Sequence, residues 1–145
     1  MSGQEKSTVA AIVLNLLVNG FVGFQLVQRF ESGQLYGGDG LQIWARTVIW
    51  AIPALLVLTV LFHGVAYVLS GDRKASTVVD ERDRLFQLRG LAVTIVVAGF
   101  GFIAMVVALA TGVQAVQAFT VVYVGMVLAN LAGNTVRFLS YRFGG

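Results

Sequence analysis

The side chains in this sequence that could do chemistry are few, and most are amides. His63 is the one histidine; Thr59, His63 and Tyr67 recur every fourth residue and so share one helical face. An imidazole in that setting could ligate haem or chlorophyll, or pass a proton. The reading preferred here is plainer: a ring hydrogen-bonded to Thr59, Tyr67 or a neighbouring helix. Asn15 and Asn19 stand one turn apart, as do Asn130 and Asn134, with Arg137 three residues further on. A buried amide without partners costs about 1–3 kcal/mol. Two such ladders predict hydrogen bonds between helices, with a narrow polar path through a small channel or transporter as the alternative.

The missing residue types exclude more than the present ones suggest. Without cysteine there is no thiolate catalysis, no disulfide and no cysteine-held metal or iron–sulfur cluster. No Ser/His/Asp set, metal cluster or phosphate-cradling loop is visible. The run Gly37, Gly38, Asp39, Gly40 lacks the strand-to-helix context of a nucleotide site and reads as a flexible loop. No enzyme, no metal site and no cofactor are expected; haem or chlorophyll through His63 is the disfavoured version of a subunit in a larger membrane complex.

The elements that must position these residues follow from composition. Of the 145 residues 57% are hydrophobic and 12% charged, and the mean hydropathy is +0.82, against roughly 25% charged in a soluble domain. Four windows are long and apolar enough for a bilayer core that takes roughly 20 helical residues: about 8–28, 47–70, 91–111 and 116–139. Their unbroken apolarity favours helices over the alternation of a barrel strand. The expected fold is therefore an all-α integral membrane protein, a bundle of four transmembrane helices forming one membrane domain over 1–145. The first window exceeds a signal-peptide core and holds two asparagines, so it reads as a retained span.

Orientation follows the distribution of Lys and Arg. Lys6, the 71–90 connection and the tail carry eight; the opposite side carries Arg29 and Arg46. Both termini are expected in the cytoplasm, with the protein in the inner membrane of a prokaryotic cell. The pI near 9.7 is then a topology signal rather than a nucleic-acid surface, so no direct nucleic-acid contact is expected. Trp44, Trp50 and Tyr36 near one end, and Tyr141 near the other, suit aromatic belts.

Within lipid, helices associate through close packing and polar contacts. Gly125, Ala129 and Gly133 form a small-residue groove on the fourth span, and Thr94, Ala98, Gly101, Ala104 and Ala108 a stripe on the third. A tight antiparallel hairpin is expected between them, and association with further copies of the chain is left open. Pro53 removes the partner of the Ile49 carbonyl, which predicts a kink in the second span.

The connection Gly71–Gly90 holds four of the seven acids and half of the ten bases. Thr77 to Asp80 matches a capping pattern, so a helix should begin near Val78, supported by an Asp80–Arg84 pair one turn apart. It reads either as a solvated lead-in or as a docking surface made by Asp80, Glu81, Arg82, Asp83 and Arg84 for a cytosolic or membrane partner. The string Val79 to Arg84, followed by Leu88-Arg89-Gly90 and later by Arg137, Tyr141 and Arg142, resembles a family of short prokaryotic four-span membrane proteins of unknown function. The resemblance covers about 79–142. Members are often encoded beside small helix-turn-helix regulators, which implies a tether or regulator of a DNA-binding protein. The fluoride-channel family, whose second span "LLVNGFVG" resembles, is set aside because the third span has no Phe-Ser-Thr-Phe-type segment.

Overall fold

The computed structural model describes the backbone of residues 3–70 and 81–143 and the side chains of 5–62, 64 and 81–143. The side chain of His63 and the whole of Asp80, both singled out above, lie outside the described residues. Apart from short turns the described residues form five helices: α1 (Gly3–Glu31), α2 (Gly40–Ile49), α3 (Ala51–Ser70), α4 (Glu81–Ala110) and α5 (Ala115–Phe143). Among the described residues four segments are long and apolar enough to cross a membrane: Glu5–Glu31, Gly40–Phe62, Glu81–Ala110 and Ala115–Phe143.

The second of these joins two helices, and the chain breaks earlier than the proline alone suggests. The break falls at Trp50, and the Ala54 amide restarts the ladder by donating to the Trp50 carbonyl at 3.2 Å. Pro53 thereby becomes the third residue of α3. In a first turn the amide hydrogens have no intrahelical acceptor, so the missing N–H removes nothing. The apolar run also begins sooner than position 47, because Ile43, Trp44, Thr47 and Val48 turn one face of α2 inward while Gln42 and Arg46 stand exposed.

At the other end α4 turns into α5 through Thr111–Gln114. Val113 N–H donates to the Ala108 carbonyl at 3.0 Å and Gly112 N–H to that of Leu109 at 3.1 Å, with Gly112 at φ +83°. These paired bonds close a helix C-terminus, and they require a left-handed residue that glycine supplies without a Cβ clash.

Among the described residues the helices pack in the order α3, α1, α5, α4, with α2 lying across α1, α3 and α5. The α4–α5 hairpin is the most extensive interface. The core sits towards the α1–α2 turn, where Val18, Val22, Leu26, Leu35, Ala51 and Val116 are buried. Along α4 and the part of α3 whose side chains are described, most large apolar side chains, such as Leu56, Val60, Ile95 and Phe100, are exposed. A surface that oily is unusual for a soluble monomer and ordinary for a helix facing lipid.

Candidate functional site

Two arrangements bring polar residues together. The first is a seam along α5. Thr120, Tyr123, Asn130, Asn134, Arg137 and Tyr141 follow steps of three and four from Val116, a heptad stripe on one side of the helix. An α-helix drifts about 20° per heptad relative to such a stripe, so its start faces α1 and α2 and its end faces α4.

The start of the seam is bonded across helices. Trp44 Nε1–H donates to Thr120 Oγ1 at 3.0 Å, and that hydroxyl donates to the Val116 carbonyl at 2.7 Å. Tyr123 O–H donates to Asn19 Oδ1 at 2.7 Å, and Asn19 Nδ2 donates to the Asn15 carbonyl one turn below at 3.1 Å. The Trp44 ring lies edge-on to Tyr123 at 6.5 Å and tilted to Phe119 at 5.8 Å. Asn15 is buried, and its Oδ1 has no hydrogen-bond partner among the described residues. Midway, Asn134 Nδ2 donates to both the carbonyl and Oδ1 of Asn130, at 3.0 and 2.8 Å. The two asparagine ladders therefore do different things. Asn15 and Asn19 meet α5 through Tyr123, whereas Asn130 and Asn134 bond to each other on their own helix, and Asn130 is exposed.

On either side of Asn130 α5 meets α4 at backbone distance. A Cβ on Gly101 would stand 3.0 Å from Gly125 Cα, and one on Gly125 would stand 2.8 Å from Gly101 Cα. A Cβ on Gly133 would run into Thr94 Oγ1 and stand 2.7 Å from the Gly90 carbonyl oxygen; one on Gly90 would run into the Arg137 side chain. Ala129 is buried between these crossings. Of the expected packing residues Gly101, Gly125, Ala129 and Gly133 lie in this interface. Ala104 does not: it is exposed, and the larger Met105 takes the inward place on the stripe. Side-chain size alone does not aim a residue at a neighbour.

The second arrangement is the start of α4. Glu81, Arg82 and Arg84 are exposed and Asp83 half-buried. The Arg82 and Arg89 guanidinium groups lie 5.3 and 5.9 Å from the centre of the Phe86 ring. Phe86 is 4% exposed and meets the Tyr141 ring edge-on at 5.2 Å. Arg137 Nε and Tyr141 Oη, one turn apart on α5, are buried without hydrogen-bond partners among the described residues. Leu85 and Leu88 are exposed, while Phe86 is the anchor.

Tyr123, Thr120 and the bond from Trp44 were not legible as site residues, although the heptad stripe on α5 is a signal that could have found the first two. Compared with protein-family models, curated proteins and solved structures, the chain matches none.

Proposed function

We propose that this is a multi-pass protein of a prokaryotic inner membrane, with both termini in the cytoplasm, that works by binding rather than catalysis. The bound partner is a cytosolic protein held on the charged start of α4. One observation carries this reading: Glu81, Arg82 and Arg84 are exposed on a helix whose next turns, at Phe86 and Gly90, are fastened to α5. A merely solvated lead-in needs no anchor. Alternating acid and base on a fixed helix supplies the orientation-dependent charge pattern that selects a partner. The resemblance of the segment 79–84 makes a DNA-binding regulator the class to look for.

After mild solubilisation a cytosolic protein is expected to co-purify with the wild type. Reversing charge with Arg84→Glu should lower its recovery roughly tenfold, the effect of about 1.4 kcal/mol. Recovery unchanged by both Arg84→Glu and Glu81→Arg would remove this surface from the account. Topology is tested separately. A phosphatase active only outside the cytoplasm should be inactive when fused after Gly145 and active when inserted after Gly38; the reverse pattern overturns the orientation.

The exposed apolar sides of α3 and α4 favour a second reading, a subunit of a larger membrane complex that meets its neighbours within the bilayer. An absorption band in the purified protein would support its cofactor-bound version through His63.

A further inference from the structure

Two cations stand apart from the cytoplasmic majority, and the fold brings them to one place. Arg29 and Arg46 both line a cleft of about 390 Å³ between α1 and the α2–α3 pair, with Val18, Phe21, Val22, Gln25, Thr47, Trp50, Ala51 and Ala54. The cleft is graded. At the end near the α1–α2 turn its lining is cationic and polar, through Arg29, Arg46, Gln25 and Thr47. Towards the middle of α1 it is apolar, through Val18, Val22, Ala51 and Ala54. Phe21 and Trp50, at its edges, are 64% and 72% exposed, so the cleft opens sideways onto the surface that faces lipid in the proposed orientation.

Its dimensions suit one leaflet. From Val18 to Arg29 α1 rises about 16 Å at 1.5 Å per residue, half of a hydrocarbon core about 30 Å thick. A cavity of this volume is at the small end of ligand pockets, which suits a single chain of methylenes and not two. No carboxylate is among the lining residues. Arg29 Nε is buried and has no hydrogen-bond partner among the described residues. A guanidinium presents a planar fork of donors that matches the oxygens of a phosphate, and a buried donor left empty is costly. Phosphate supplies what the cleft lacks.

We infer that this cleft binds an anionic phospholipid of the outer leaflet, its phosphate between Arg29 and Arg46 and one acyl chain along Val18, Val22, Ala51 and Ala54. The site rests on the proposed membrane orientation, but not on the cytosolic partner.

The purified protein is reconstituted in vesicles of phosphatidylcholine alone and with phosphatidylglycerol, and bound lipid is counted after extraction in mild detergent. The wild type should retain phosphatidylglycerol in preference to phosphatidylcholine. Arg29→Gln and Arg46→Gln should each weaken that preference roughly tenfold, as expected for loss of a charge-assisted contact. Arg142→Gln, a change at the far end of the molecule, should leave it intact. A photoreactive phosphatidylglycerol with its probe beside the phosphate should label 25–29 and 46–50, which reads the site even if the glutamine variants fold poorly. Equal retention of the two lipids, labelling elsewhere, or displacement by oleate in place of phosphatidylglycerol would each overturn the inference. Protein that fails to float with phosphatidylcholine vesicles overturns the membrane reading itself; protein that floats without lipid preference overturns only the site.

Discussion

Gly133→Ala is expected to lower the thermal midpoint of the solubilised protein by roughly 5–10 °C. A single methyl group is enough because of where it would go. A Cβ on Gly133 has no free volume: it meets Thr94 Oγ1 and stands 2.7 Å from the Gly90 carbonyl oxygen. Thr94 is itself held, its hydroxyl donating to the Gly90 carbonyl at 3.0 Å. The methyl therefore either breaks that bond or moves α4 away from α5. Inserting atoms into a filled interface costs about 1–3 kcal/mol, and an obstruction by backbone belongs at the upper end. The control is on the same hairpin. A Cβ on Gly99 meets nothing within 4 Å, so Gly99→Ala should be neutral, or stabilising by about 0.5–1 kcal/mol through helix propensity. Thr94→Ala should recover part of the Gly133→Ala loss, because it removes the nearer obstacle and leaves the carbonyl. Strict additivity of the pair would mean the two residues do not meet. Equal midpoints for Gly133→Ala and Gly99→Ala would show that the hairpin is not packed backbone to backbone.

What the sequence could reveal divides along a physical line. The number and approximate limits of the long apolar helices depend on summed hydropathy, which is local, and all four were legible. The close α4–α5 approach was legible too, because glycine and alanine at helical spacing are the means by which helices approach in lipid. The rotation of each helix about its axis was not. In water the buried face is apolar and the outer face polar, so periodicity reports rotation. In these helices both faces are apolar, as Val22 inward and Phe21 outward on α1 illustrate. That is why Ala104 was expected inward and found exposed, and why nothing in the spacing of Arg29 and Arg46 announced that they share a cleft. The break at Trp50 was hidden for another reason. A proline specifies where an N–H is missing, and the chain can satisfy that either by kinking a helix or by starting a new one just before it.

Trp44→Ala is expected to be at least as damaging as Gly133→Ala, and for the opposite reason: it empties the α2–α5 contact, whereas Gly133→Ala overfills the α4–α5 one. Trp44 is the main side chain by which α2 reaches α5, through its bond to Thr120 and its ring contacts with Phe119 and Tyr123. Truncating a large packed aromatic costs about 3–5 kcal/mol, with the loss read as a lowered midpoint and faster proteolysis of the α1–α2 turn. Trp44→Phe separates the two contributions. It keeps an aromatic ring against Phe119 and Tyr123 and removes only the indole donor, while Thr120 Oγ1 still donates to the Val116 carbonyl. One interhelical bond of this kind is worth about 1 kcal/mol, so Trp44→Phe should be much milder than Trp44→Ala. Equal losses would mean that the hydrogen bond, and not ring packing, ties α2 to the bundle. The consequence reaches the cleft, because Arg46 and Thr47 are carried there by the same short helix, and Trp50 directly follows it. Trp44 is not itself a lining residue, yet Trp44→Ala should reduce phosphatidylglycerol retention alongside stability, whereas Trp44→Phe should leave retention near that of the wild type. A cleft that kept its lipid preference in Trp44→Ala would show that Arg46 is positioned by α1 and α3 alone.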